Sequence, residues 1–249
     1  MTTWLILAGA AFLAGVVNAI AGGGSLISFP ALLLTGMPSV AANATNTVAI
    51  WPGTVSSVLA YRRFIGEERR RATVLAVPSL VGGLIGSIVL IHTPQRVFDA
   101  IVPWLILFAC ALLAAQHRVA ALIASRRAAD GRGVPWQLWV AQLLISIYGG
   151  YFGAGIGILM LAAMGIFLPN ALQHANALKV LFSLFINGIA AVYFLGIGAA
   201  SLPYGAFMAV CALAGGWVGA RVAQRLPARV FRGLVIAYGV TVALVMMAK

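Results

Sequence analysis

The chain has 249 residues, of which 63% are hydrophobic and only 8% charged; soluble domains carry about 45–50% and about 25%. Its 16 basic and 4 acidic side chains are too few to coat a water-soluble surface. This excludes a soluble enzyme, a disordered tail and a secreted disulfide scaffold, and points to an all-α integral membrane protein.

The net charge of +12 would suggest nucleic acid in a soluble protein. Here the basic residues lie between apolar runs, the pattern of cytoplasmic loops, so a lipid bilayer and not nucleic acid is the expected partner. Cys110 and Cys211 have no metal-ligand spacing, and no metal or cofactor is expected.

The first apolar run, 4–20, follows Met-Thr-Thr-Trp with no basic n-region, so it reads as a membrane segment and not a cleaved signal. Next comes Asn18-Ala-Ile-Ala-Gly22-Gly23-Gly24-Ser25-Leu-Ile-Ser28-Phe-Pro30. Three consecutive glycines weaken a membrane helix, and unpaired backbone groups are tolerated only beside protein or a wet cavity. A helix restarting at Ser25 would turn free N–H groups and a positive dipole end toward that cavity, which suits an anion. The run at 24–36 spans 13 residues, too few to cross a hydrocarbon core of about 30 Å.

Run 40–60 carries Ala42-Asn43-Ala44-Thr45-Asn46-Thr47 near its start. Such polar side chains are expensive in a membrane unless they cap, pair or face water. Five arginines follow at 62–71. Run 72–91 holds Gly82, Gly83 and Gly86, read as a helix-packing stripe, so Gly83→Ala is expected to be mild for transport. Run 97–116 precedes a polar stretch, 117–135, which divides a first membrane repeat (1–116) from a second (136–249).

Run 136–152 ends in Tyr148-Gly-Gly-Tyr-Phe-Gly153-Ala-Gly155-Ile-Gly157. No strand–helix unit surrounds this stretch, so it is not a nucleotide fingerprint. Run 155–168 is again short. Run 172–195 opens with His174-Ala-Asn176-Ala-Leu-Lys179. Lys179 is the one Lys or Arg well inside an apolar run, while Glu67, Glu68, Asp99 and Asp130 lie in loops or at a run's edge. An intramembrane cation without a carboxylate is best balanced by a mobile anion; snorkelling to an interface is the alternative. For His174 a loop or capping role is expected. Runs 201–220 and 231–248 complete ten segments, eight of them 17 residues or longer.

The halves repeat. A shift of 133 sets Gly82–Phe98 on Gly215–Phe231 with eight identities in seventeen positions, and Ala42-Asn43-Ala44 on Ala175-Asn176-Ala177. It also sets Lys179 on Asn46. A two-residue gap brings Gly22-Gly23-Gly24 onto Gly153-Ala154-Gly155. Thirteen arginines fall in loops that share one side, against Arg96 and Lys249 on the other, which sets the cytoplasmic face. Equivalent loops of the two halves carry opposite bias: five arginines at 62–71, none at 196–200. The expected fold is therefore two inverted-topology repeats of about five segments each, eight to ten in all, with broken or re-entrant short helices.

The Gly-Gly-Gly-Ser-Leu-Ile-Ser-Phe-Pro-Ala-Leu-Leu-Leu stretch at 22–34, Ala-x-x-Thr-Asn at 42–46, Phe-Gly-Ala-Gly-Ile-Gly from 152 and Ala-Asn-Ala from 175 together resemble the TauE/SafE (TSUP) family. The resemblance covers nearly the whole chain. It implies a multi-pass transporter in the cytoplasmic membrane for sulfite, sulfonates, sulfoacetate or related anions. The second half departs from the pattern, with Gly-Ala-Gly-Ile-Gly and no following proline.

The expected function is secondary transport of a small sulfur-containing anion by alternating access, with the site at the midplane between repeats. Gly22, Gly23, Gly24 and Ser25 would offer N–H groups from one half, and Gly153, Gly155 and Gly157 from the other. Asn43, Thr45, Asn46 and Asn176 would orient the oxygens, and Lys179 would balance charge. A homo-oligomer is compatible with this reading. An anion channel or passive facilitator would use the same site. No Walker motif, nucleophile–base pair or acid pair supports an enzyme.

Overall fold

The structure, a computed structural model, describes residues 2–20, 23–124, 133–168, 172–222 and 228–248. Among these residues there are helices and no strands. In chain order they are α1 (Thr2–Ile20), α2 (Ser25–Leu33), α3 (Ser39–Ala60), α4 (Arg62–Glu67), α5 (Arg69–His92), α6 (Gln95–Ala124), α7 (Trp136–Tyr151), α8 (Ile156–Phe167), α9 (Leu172–Gly196), α10 (Leu202–Val222) and α11 (Ala228–Met247). Apolar runs account for ten of them. The eleventh, α4, sits in the arginine-rich segment, and α6 continues eight residues past its apolar run. Helical hydrogen bonding does not stop where hydrophobicity does.

Among the described residues four helices, in α5, α6, α9 and α10, are long and apolar enough to cross a membrane. The nine residues of α2 and twelve of α8 reach only about 14 and 18 Å at the helical rise of roughly 1.5 Å per residue. Both are half-helices, as their short runs imply.

The burial pattern is that of a protein whose solvent is lipid. On α5, Ala72, Ser79, Gly82, Gly83, Gly86 and Ser87 are buried, while Val77, Val81, Ile85 and Val89 point outward. Small residues face the bundle because close van der Waals packing, and not hydrophobic exclusion, joins helices in a bilayer.

The two halves interlock. α1 packs on α10 and α5 on α7, while α3 meets α9 at the centre and α6 meets α11. α2 touches α1, α3 and α11; α8 touches α7, α9 and α6. Exchanging α1 with α7, α2 with α8, α5 with α10 and α6 with α11, and α3 with α9, reproduces these same pairs.

Glycines make the close crossings. A Cβ on Gly15 would stand 2.1 Å from the Ala212 carbonyl oxygen, and one on Gly215 2.0 Å from that of Phe12. At the matching α5–α7 crossing, a Cβ on Gly82 would stand 2.6 Å from the Leu143 oxygen. The packing role read for Gly82, Gly83 and Gly86 fits this geometry, but the mild outcome for Gly83→Ala does not. Its Cβ would meet Ile189 Cγ2 at 2.9 Å and the Ile186 backbone at 3.1 Å, so the substitution must push α5 from α9.

Candidate functional site

The first break separates α1 from α2. Gly22 lies outside the described residues. Gly23 has φ +89°, in the left-handed region that glycine alone enters at little cost. Gly24 is needed for a different reason: a Cβ there would stand 2.3 Å from the Ala14 carbonyl oxygen. Its N–H donates to Asn18 Oδ1 at 2.7 Å. Ser25 is buried in the first turn of α2. One turn on, the buried Ser28 hydroxyl donates to Asn46 Oδ1 at 2.5 Å, with the Gly24 carbonyl as the alternative acceptor at 3.2 Å.

The second break joins α7 to α8. Gly153 and Gly155 have φ +79° and +80°, and Gly155 is the N-cap of α8 with no side chain capping it. The Tyr148 hydroxyl donates to the Ala154 carbonyl at 2.7 Å and holds the bend. No acceptor among the described residues takes the N–H groups of Gly155 or Gly157.

α3 ties the breaks together. Asn43 and Asn46 are three residues apart and share one helix face. Asn46 holds Ser28 of the first break, while Asn43 Nδ2 donates to the Tyr151 carbonyl of the second at 2.8 Å. Phe29 of α2 packs edge-on against Phe152, ring centroids 5.6 Å apart. Thr45 turns away: its hydroxyl accepts the Ser201 N–H at 2.9 Å, just before α10. It secures that helix start and does not join the cluster.

On α9, Lys179 lies along α8. A Cβ on Gly157 would be 3.1 Å from Lys179 Cδ, so Gly157 makes room for the lysine stem. Its ammonium donates to Asn176 Oδ1 at 3.0 Å. Among the described residues no carboxylate pairs with it: the acids there serve Arg63, Arg71, His174 and Ser39. His174, one turn earlier, pairs with Glu67 at 2.9 Å and packs on Phe64, pinning α4 to the start of α9.

Asn43 and Asn46 thus make a polar seam between the break at Gly23, Gly24 and Ser25 and the one at Gly153 and Gly155, while Asn176 and Lys179 lie along Gly157 on α8. Sequence reading gave no role to Asn18, Ser28 or Tyr148, whose side chains hold the breaks. Asn18 and Ser28 stand six residues before and four after Gly24, a spacing that signals local bonding to a broken backbone.

Gly23→Leu should abolish transport while leaving the protein in the membrane. Space is adequate, with Leu113 at 3.4 Å, but φ +89° costs a branched residue roughly 1–3 kcal/mol, and α2 must re-enter at another angle. Uptake into proteoliposomes, alongside elution as a single species, checks this; normal uptake would leave Gly23 no role in the site.

The family model for the sulfite exporter TauE/SafE matches residues 7–246. The "Probable membrane transporter protein ORF9" of Sinorhizobium sp is 26% identical over 246 residues, covering 96% of this chain and 90% of that one. A "Probable membrane transporter protein" of Haemophilus influenzae is 30% identical over 190 residues, 71% of each chain. The "Probable membrane transporter protein YfcA" of Escherichia coli K12 is 27% identical over 245 residues, covering 96% and 86%. No solved structure matches. With apolar helices built for a bilayer and a family match over nearly its full length, the chain belongs to the TauE/SafE family of membrane transporters.

Proposed function

We propose that this transporter carries a small sulfur-containing oxyanion, of the sulfite, sulfonate or sulfoacetate class, across the cytoplasmic membrane by alternating access. The anion would bind near the midplane, between repeat 1 (1–116) and repeat 2 (136–249). The observation that carries this reading is Lys179, a half-buried cation inside an apolar helix with only the neutral Asn176 for a partner. A charge so placed is strongly disfavoured unless an anion compensates it. The α8 N-terminus beside it adds uncapped N–H groups and a positive dipole end. Interlocked helix pairs that exchange under the repeat suit two inverted halves rocking about a fixed site.

The test is a thermal-stability screen of purified protein with sulfite, sulfate, sulfoacetate, taurine and acetate, followed by uptake into proteoliposomes. Sulfur oxyanions should raise the melting temperature, since a ligand that binds only the folded state stabilises it. Uptake should saturate. Stabilisation by acetate alone would sink the substrate class, and non-saturating flux would mark a channel. For orientation, Gly66→Cys and Gly196→Cys, both positions where a side chain meets nothing within 4 Å, should label from opposite faces in a background lacking Cys110 and Cys211. Labelling from one face would end the inverted-repeat reading.

A further inference from the structure

We infer that the two glycine breaks are not equivalent, that the anion binds at the second, and that Asn187 is the residue that contacts it there. This rests on the transport reading above and narrows it to one half of the seam.

At the first break the amide and hydroxyl side chains of Asn18, Ser28 and Asn46 are spent internally, and only Ser25 keeps a hydroxyl without a partner among the described residues. The Gly24 N–H is held by Asn18, and Ser28 and Asn46 hold one another. The second break is arranged differently. Asn187 is 6% exposed, and its amide has no hydrogen-bond partner among the described residues. Its Oδ1 stands 3.9 Å from the point that a side chain on Gly153 would occupy, so the amide borders the open side of the left-handed backbone. Both amide atoms keep some accessible surface, so water or a small anion can reach them. With no protein group fixing its orientation, the amide can turn Nδ2 toward an anion.

The repeat sharpens the contrast. The shift of 133 sets Asn187 on Thr54, whose hydroxyl is used up on the Trp51 carbonyl at 2.6 Å. The second half alone keeps a free polar group at that position. Along α9, Lys179, Ser183 and Asn187 recur every four residues, a spacing that stacks them on one face. That face runs from Gly157 to Gly153, past the uncapped start of α8. The lane supplies an ammonium at one end and an amide at the other, with a hydroxyl between, which suits a small oxyanion.

The experiment is titration calorimetry of purified protein with sulfoacetate and with sulfite, on the wild type, Asn187→Ala and Thr54→Ala. Each variant is first shown to elute as a single species with unchanged unliganded melting. Asn187→Ala should weaken binding about tenfold or more, the loss expected for a hydrogen bond to a charged group. Thr54→Ala should stay within about twofold, and the wild type should bind one anion per chain. Where Asn187→Ala does not fold, Asn187→Cys in a background lacking Cys110 and Cys211 should react with N-ethylmaleimide and be protected by sulfoacetate. Wild-type affinity in Asn187→Ala, absent protection, or a stoichiometry of two would overturn the inference and leave the transport reading standing. A wild type that binds neither anion would remove both.

Discussion

Lys179→Met should bind substrate about 10- to 150-fold more weakly than the wild type, with expression and membrane insertion unchanged. Methionine keeps the length and apolar stem that lie along Gly157 but deletes the ammonium. A hydrogen bond to a charged group is worth roughly 1.5–3 kcal/mol, and each 1.4 kcal/mol is about a decade in affinity. The Asn176 carbonyl oxygen loses its donor, but it is half-buried, so water can replace the ammonium. Lys179→Arg should also fail, because a planar guanidinium fork does not occupy the place of a point ammonium. Titration with sulfite and sulfoacetate measures both. Normal binding by Lys179→Met would identify the lysine as a snorkelling side chain and leave the site to backbone N–H groups and amides.

Lys179 shows why part of this site was legible in the sequence. A cation inside an apolar run is so costly that its presence alone asks for a partner. The glycine breaks announced themselves in the same way, as helix breakers where the chain must stay helical. Asn187 carries a weaker signal, its place two turns after Lys179 on roughly the same helix face. A single neutral amide in a long helix is cheap to place, and only the structure shows that Gly153 lies beside it and that nothing bonds it. The reading of Thr45 missed for a different reason, one that was in reach. Asn43 and Asn46 are three residues apart and share a face, while Thr45 is turned about 200° from Asn43 at about 100° per residue. It points to Ser201 and α10. Grouping the stretch as one motif overlooked that period.

Gly24 mixes both cases. Its place in the triple glycine drew attention for backbone donors, yet its own N–H is satisfied by Asn18 and its missing side chain lets α1 and α2 touch. A glycine serves packing or backbone access according to what stands opposite it. Sequence alone does not give that neighbour for helices joined across the halves, such as α5 and α7.

Gly86→Ala should prevent the folded bundle from accumulating, a stability effect matched among the methyls considered only at Gly150 and Gly215, where a Cβ would also stand 2.0 Å from a backbone oxygen. The added Cβ would stand 2.0 Å from the Ile147 carbonyl oxygen and 2.8 Å from the Tyr151 nitrogen. Both are helix backbone, so no rotamer change relieves the overlap, and α5 and α7 must part by about 1.5 Å to restore ordinary contact. Overpacking commonly costs about 1–3 kcal/mol where side chains can shift; here the cost should exceed that range. Separation at Gly86 also opens the contact of Gly150 with the Gly83 carbonyl, where a Cβ would stand 2.0 Å away. Lipid tails are as apolar as the helices, so no hydrophobic drive holds the parted pair together. Tyr148 and Tyr151, which shape the second break, would move with α7. Gly9→Ala is the control, because nothing lies within 4 Å of its Cβ position, and alanine there should be neutral or slightly stabilising. Fluorescence-detected size-exclusion and thermal unfolding of both variants decide the matter. Wild-type melting in Gly86→Ala would show that α5 and α7 are not joined backbone to backbone.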